Sequence, residues 1–305
     1  MISQKSKKAL VTKKFNQFFY VEIQEDLEYS EENRFLCKSR KSIRFQNEFI
    51  YVGDEVVINK IDYLQKTAVI ISLIKRKNLL VRPSVANISD IYITHSVREP
   101  NLNFSQISKL LINAEYLNVK VSLILTKCDL INIEQKNYLI KKFKNWGYIP
   151  KTLNFNVFSD FANLMDELKK KKCSILMGPS GVGKTTLLNK IIPNLNNPTA
   201  TVSLKIKQGK NTTRNVELFS LSRDSYIVDT PGFNLHKIEI LNTYIPLLFP
   251  EISKQIKQNK FRCKFNDCLH LDEPGCVIDK NFDRYQFYRD LICETKNQNY
   301  QSQGD

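Results

Sequence analysis

No stretch of this 305-residue sequence approaches the roughly 18–20 consecutive apolar residues that a membrane-crossing helix requires. The longest apolar runs resemble TAVIISLI at 67–74. The first residues, MISQKSKKAL, lack the continuous apolar centre and the small-residue cleavage site of a secretory signal. These two absences exclude membrane-spanning and secreted classes and set the expectation of a reducing, cytosol-like compartment. Acidic residues are also in short supply, 31 Asp and Glu against 46 Lys and Arg, for a formal charge of +15. Such a field points to a polyanionic partner; charge alone leaves ribosomal RNA, other RNA, DNA and anionic membrane open. Residues 1–85 carry 16 basic and 10 acidic residues, 86–239 carry 21 and 12, and 240–305 carry 9 and 9, so the excess belongs to the first two regions. A single run such as KKKK at 169–172 reads as a solvated helix face. With 42% hydrophobic residues the chain has enough apolar surface for a substantial core, and its length allows two or three domains.

Residues 1–85 read as a small β domain. FFYVEIQ, RFLCKS, KSIRF, EFIYVGDEVVINKI and TAVIISLI recur between polar breaks with no sustained helical period. Five such strands suit a barrel of the OB type, with Gly53 and Asp54 at a turn before an alternating strand. Its basic face, with Lys38, Arg40, Lys41 and Arg44 beside Phe45, either binds an oligonucleotide or belongs to a barrel that docks only on protein. Beyond it, residues 86–239 alternate strands with helices. IYITH (91–95), VSLIL (121–125) and CSILM (173–177) read as strands. FSQISKLLINAEYLN places apolar residues at 104, 107, 110, 111, 114 and 117 on one helix face, and further helices run through EQKNYLIKKFKNW and FANLMDELKKK. In this α/β organisation, binding loops belong at the carboxyl ends of strands. Residues 240–305 are helical, interrupted by a cysteine-rich knot and closing on DRYQFYRDLICETK and a polar tail read as disordered.

Gly178, Pro179, Ser180, Gly181, Val182, Gly183, Lys184 and Thr185 match the GxxxxGK[ST] phosphate loop in full. The pattern curls backbone N–H groups around a β-phosphate and aims a helix N-terminus at it. Lys184 is placed to reach the β- and γ-phosphates, Thr185 to bind Mg²⁺, and Thr186 to continue the helix on the nucleotide. DTPG at 229–232 follows an apolar strand; it puts Asp229 in the Mg²⁺ shell and the Gly232 N–H at the γ-phosphate. Between them GKNTTRNVEL (209–218) reads as a switch loop, with Thr213, or else Thr212, on the Mg²⁺. In ordinary GTPases a guanine loop follows these motifs. Here TKCD (126–129) precedes them, and no NKxD-like sequence follows DTPG. Asp129 offers a carboxylate to guanine N1–H and N2–H, a bidentate pair adenine lacks, and the Lys127 stem packs over the base within the loop formed by Thr126 and Cys128. Phe158, Ser159 and Asp160 are the expected backbone contact to the base. The order guanine loop, phosphate loop, switch one, switch two describes a circularly permuted GTPase, whose packed sheet does not depend on where the chain is cut. Whatever follows residue 239 is then tethered to the element that senses the γ-phosphate.

Cys263, Cys268, His270 and Cys276 place three thiolates and an imidazole within 14 residues, a donor set for structural Zn²⁺ with no open position. Cys37, Cys128, Cys173 and Cys293 are scattered and read as ordinary small residues.

These features together resemble the RsgA (YjeQ) family of small ribosomal subunit biogenesis GTPases of bacteria and plastids. The resemblance spans nearly the whole chain: the VGD turn, RKNLLVRPSVANISD, TKCDL, GPSGVGKTTLLN, GKNTTR, DTPGF, FPEI at 249–252, the Cys/His spacing and RYQFY. It implies an OB-fold domain at 1–85, a permuted GTPase domain at 86–239 and a zinc domain at 240–305. It further implies late maturation of the 30S subunit, binding of its rRNA, and release after GTP hydrolysis. A monomer is the default expectation, in cytoplasm or plastid stroma and without a membrane partner. Two departures stand out. Thr126 occupies the family's usual Asn, and Asn211 occupies a His that is a candidate for positioning the attacking water; Phe233 stands where many GTPases carry Gln. Lys184, Asn211, Thr213 and Gly232 are therefore the candidate catalytic set, with hydrolysis expected to be slow without the ribosome. A module that binds nucleotide without turnover and an ATP-dependent P-loop enzyme remain as alternatives.

Overall fold

The computed structural model describes residues 2–3, 5–24, 33–40, 49–81, 83–192, 216–229, 240–259 and 262–301. KSIRF, with the Lys41, Arg44 and Phe45 expected on the basic face, lies outside them. The amino-terminal strands are β1 (Ile2–Ser3), β2 (Lys7–Phe15), β3 (Phe18–Ile23), β4 (Arg34–Ser39), β5 (Glu55–Asp62) and β6 (Thr67–Leu73). β2 pairs with β3, β3 with β4, β4 with β6, β6 with β5, and β5 returns to β2. The β4–β6 pair alone is parallel, which is the ring of a five-stranded Greek-key barrel of the OB type. Alternate residues such as Phe19, Val21 and Ile23 fill its interior with Phe35, Val56 and Ile58.

The strand β2 was not among the runs expected from sequence. Ala9, Leu10, Val11 and Thr12 are buried in succession, so the strand shows no alternation. Ala9 and Val11 point into the barrel, whereas Leu10 joins a second core with Val52, Leu80 and Val85. A strand buried on both faces loses the period-2 signature. The alternating strand begins at Glu55, after the turn expected at Gly53 and Asp54, and that VGD turn is a rivet between units. Gly53 N–H donates to Val11 O (2.8 Å), Ala86 N–H to Val52 O (2.8 Å), and a Cβ on Gly53 would lie 2.2 Å from Ala86 O. No side chain fits there. The buried Asp54 accepts from Tyr51 N–H (2.8 Å) and from Arg76 Nε and Nη2 (3.1 and 2.9 Å).

A hairpin of β7 (Leu79–Leu80) and β8 (Val85–Ala86) leads into the α/β unit. There β9 (Asp90–Ser96), β10 (Lys120–Thr126), β11 (Lys151–Thr152), β12 (Cys173–Met177), β13 (Glu217–Ser222) and β14 (Ser225–Asp229) form one sheet in the order β13-β14-β12-β9-β10-β11. All neighbours are parallel except β13 and β14. Helices α1 (Phe104–Tyr116) and α2 (Ile133–Asn145) pack on one face. On the other lie α3 (Phe158–Leu168) and α4 (Lys184–Ile191). Asn103 caps α1 and an Asn132–Gln135 capping box starts α2, each satisfying orphan N–H groups of the first turn.

The carboxyl-terminal unit has a 3₁₀ turn over Asn242–Leu248, α5 (Pro250–Gln258) and α6 (Tyr285–Gln301). α6 runs to Gln301, into the segment expected to be a disordered tail. Among the described residues no helix is long and apolar enough to cross a membrane. This unit is not merely tethered behind the switch; it is docked on α2. Arg284, 2% exposed, donates through Nε to Glu251 Oε1 (2.7 Å) and through Nη2 to Glu251 Oε2. Its guanidinium lies 4.9 Å from the ring centres of both Trp146 and Phe249. Lys142 and Trp146 Nε1 both donate to Asp283 (2.8 and 3.3 Å). Removing either partner leaves the other buried without its counter-charge, so Arg284→Ala and Glu251→Gln are each expected to lower stability by about 3–5 kcal/mol in urea denaturation.

Candidate functional site

Every residue of β12 is buried, with parallel neighbours on both sides, so the chain leaves the sheet centre pointing at its carboxyl edge. The phosphate loop begins there. Gly178 sits against β9 so closely that a Cβ would lie 2.0 Å from Thr94 O; only glycine fits. Gly183 caps α4, and the Phe155 ring packs over it. Lys184 opens the helix and its Nζ donates to Gly178 O (2.8 Å) and Pro179 O (2.6 Å), which holds the ammonium across the loop. Thr185 and Thr186 follow in the first turn of α4, at the positive end of its dipole.

The TKCD loop lies one strand beyond β9, at the end of β10. Thr126 is buried and its hydroxyl donates to Val182 O of the phosphate loop (2.7 Å); His95 O is a poorer acceptor at 3.4 Å. A hydroxyl has one proton to give, so it serves the phosphate loop. Thr126 therefore performs the bridging for which an Asn amide is equally suited. Lys127 adopts the left-handed conformation (φ 57°) and its Nζ donates to Glu99 O. Cys128 is buried, its N–H reaching Leu153 O (3.4 Å), while Asp129 stands exposed beside it in a 3₁₀ turn. That leaves the Asp129 carboxylate open to a base edge.

Phe158, Ser159 and Asp160, the expected backbone contact to the base, open α3, and Asp160 Oδ2 accepts from Asn154 N–H (2.9 Å). The segment beside the guanine loop is 153–156, anchored by Leu153 N–H to Leu125 O (2.7 Å). No sequence signal marked this segment, because it is held beside TKCD through backbone groups, which place few demands on side-chain type. His95 also escaped notice. It is buried under the phosphate loop with Nδ1 2.9 Å from Ser96 O, and burial, aided by the Lys184 charge, holds its pKa below the ordinary value.

Asp229 ends β14, which pairs in parallel with β12, the strand that feeds the phosphate loop. Asn211, Thr213 and Gly232 lie outside the described residues.

Cys263, Cys268, His270 and Cys276 converge, with their ligand atoms all within 4.8 Å of one another. His270 Nδ1 lies 3.6 Å from Cys263 Sγ and 3.5 Å from Cys276 Sγ. Tetrahedral Zn²⁺ with Zn–S of about 2.3 Å and Zn–N of about 2.0–2.1 Å sets neighbouring S and N ligands about 3.5 Å apart. The residues fit such an ion. The loop that presents them is held from outside: Glu273 accepts from Leu269 and Leu271 N–H (3.0 and 2.7 Å), and Tyr285 and Tyr288 hydroxyls donate to His270 O and Leu269 O. Burial and the neighbouring thiols push Cys268 up to about 12, so cationic charge at the centre is what would let that sulfur ionise.

Barrel, permuted sheet, phosphate loop and guanine loop together define a circularly permuted P-loop GTPase with a Cys₃His unit behind it. Comparison with known proteins agrees. The RsgA GTPase family model matches residues 73–239. The small ribosomal subunit biogenesis GTPase RsgA of Prochlorococcus marinus strain NATL1A is 42% identical over 97% of this chain and 96% of its own, and that of strain NATL2A is 43% identical over 87% and 84%. The crystal structure of YjeQ from Thermotoga maritima superposes with a TM-score of 0.76 at 30% identity, covering 95% of this chain and 99% of that one. YloQ, a circularly permuted GTPase, shares the fold with a TM-score of 0.77. The chain belongs to the RsgA GTPase family.

Thr126→Val keeps the volume but leaves Val182 O without its donor, a loss of about 1–2 kcal/mol that is expected to weaken guanine-nucleotide binding about 5–30-fold in a fluorescent-nucleotide titration. Thr126→Asn, which restores a donor, retains or tightens it.

Proposed function

We propose that this protein hydrolyses GTP as an assembly factor of the small ribosomal subunit, binding 30S rRNA as a monomer and leaving when the nucleotide is cleaved. The observation that carries the GTP reading is the hydrogen bond that locks the guanine loop to the phosphate loop, which sets a base-reading carboxylate at a fixed distance from a phosphate cradle. This also disfavours the ATP-dependent alternative, since TKCD is then part of the nucleotide site and not an accident of sequence. The relatives' names supply the ribosomal role, and the excess of cationic residues, +15 overall, suits an RNA partner. The cytoplasm, or the stroma of a plastid, is where small subunits are built.

In this reading the loop N–H groups of 178–183 and Lys184 hold the β- and γ-phosphates, and Asp129 and Lys127 select and cover guanine. Thr185 and Thr213, with Asp229 behind them, would hold Mg²⁺, which neutralises charge spread over the transferred phosphoryl group. Gly232 N–H reports the γ-phosphate. Asn211 orients the attacking water through its amide, without a titrating proton. Because phosphoryl transfer depends mainly on positioning and charge stabilisation, loss of the usual His slows hydrolysis without abolishing it. Residues 1–85, 86–239 and 240–305 serve as RNA-binding, nucleotide and zinc domains.

Phosphate release from GTP is expected to be slow alone and strongly stimulated by purified small subunits, with Lys184→Ala as the blank and Asn211→His faster in both conditions. GTP binding without turnover in either condition would leave a nucleotide-dependent RNA clamp as the better reading. The Cys₃His unit is expected to carry one Zn²⁺ per chain by atomic emission. Cys276→Ser or a strong chelator should remove it and expose residues 262–282 to protease, with the phosphate loop still binding nucleotide.

A further inference from the structure

The outer face of the barrel carries a ladder of cations and aromatics that ends in the GTPase sheet. Along β3 the residues Phe18, Tyr20 and Glu22 alternate outward while Phe19, Val21 and Ile23 point inward. Across from them on β4 stand Lys38, Leu36 and Arg34, paired respectively with Phe18, Tyr20 and Glu22. Lys38 lies 5.1 Å from the Phe18 ring centre, and the Arg34 guanidinium 4.6 Å from that of Tyr20. Phe15 adjoins Phe18 on β2 and is exposed. This end of the ladder is open to solvent, with stacking surfaces between positive charges, the chemistry that takes single-stranded RNA.

The other end is half-buried against the GTPase sheet. Glu217 begins β13 and accepts from Arg34 (3.0 Å) and from Lys13 (2.7 Å), the residue opposite it in the β2–β13 bridge that joins the barrel to the GTPase sheet. Tyr226 on β14 donates to Glu22 (3.1 Å), whose carboxyl is held above its ordinary pKa by burial. One carboxylate, Glu217, thus meets two cations, with Glu22 bonded to Tyr226 beside it, where the barrel touches β13 and β14. These are the strands that the GKNTTR segment leads into and that DTPG leads out of. Arg34 is shared: it belongs to the stacking face and to Glu217 at once.

We propose that Arg34 and Glu217 couple RNA bound on the barrel to the nucleotide state of the GTPase sheet. A base or phosphate that engages Arg34 over Tyr20 draws the guanidinium from Glu217, leaving Lys13 as its remaining cation and loosening the strand that follows the switch segment. The coupling rests on the RNA reading above. By linkage, the nucleotide changes RNA affinity by the same factor that RNA changes nucleotide affinity.

The test measures binding of a labelled single-stranded RNA of about 12 nucleotides, one OB-fold site in length, to the full chain saturated with GDP or with a non-hydrolysable GTP analogue. The wild type is expected to show an affinity ratio of about fivefold or more between the two states, within the usual span of allosteric coupling. Glu217→Gln should bring that ratio to near one, while its thermal midpoint and its RNA affinity in one nucleotide state stay close to wild type. Tyr20→Ala should lose RNA binding in both states and leave nucleotide binding intact. A ratio unchanged in Glu217→Gln, or equal to one in a wild type that binds RNA, overturns the coupling and leaves the RNA reading standing. No RNA binding by the wild type overturns both.

Discussion

A loop of backbone can aim its N–H groups at phosphate only if its carbonyls are held from the opposite side. Here Val182 O is taken by the Thr126 hydroxyl, Gly178 O and Pro179 O by Lys184, and Gly178 itself is pressed onto Thr94. The nucleotide site depends on this restraint from below. It also explains why the altered order of motifs is harmless: the guanine loop meets the phosphate loop through a hydrogen bond across 56 residues of chain, and the bond is indifferent to which partner comes first. What the sheet must supply is the order β14-β12-β9-β10 in space, with the carboxyl ends aligned.

Around that sheet the other two units are fastened by buried charge. Asp54 with Arg76 closes the VGD turn on the barrel side, and Glu251 with Arg284 closes the carboxyl-terminal side, stacked between aromatic rings. Buried pairs of this kind add little net stability over apolar packing but tolerate few alternative arrangements, so they fix how units sit. The Cys₃His unit is therefore joined to the GTPase sheet at two places, by the chain that leaves β14 and by its docking on α2. Movement transmitted along the first route has to work against the second.

Legibility in the sequence followed the range of the interaction. The phosphate loop, TKCD and the Cys/His knot each confine their chemistry to a few neighbouring residues, so residue type and spacing were sufficient to find them. The helices α1, α2 and α3 were legible from period, and β3, β4 and β6 from alternation. β2 was not, since Ala9, Leu10, Val11 and Thr12 are buried together between two cores. The packing of segment 153–156 beside TKCD was not legible, since it is held through the backbone of Leu153. Glu217, within GKNTTRNVEL, carried no sequence signal of its contacts; its partners lie 204 and 183 residues away.

By itself, then, the sequence determined the chemistry: a P-loop GTPase in permuted order, preceded by a barrel and followed by a Cys₃His knot, because phosphate, guanine and metal each demand particular atoms at short, countable separations. Only the tertiary structure decided how the units are fastened. How Thr126 ties TKCD to the phosphate loop, which segment packs beside TKCD, and which charges join barrel to sheet all depend on contacts between residues far apart in the chain, and such contacts leave no period or spacing to read.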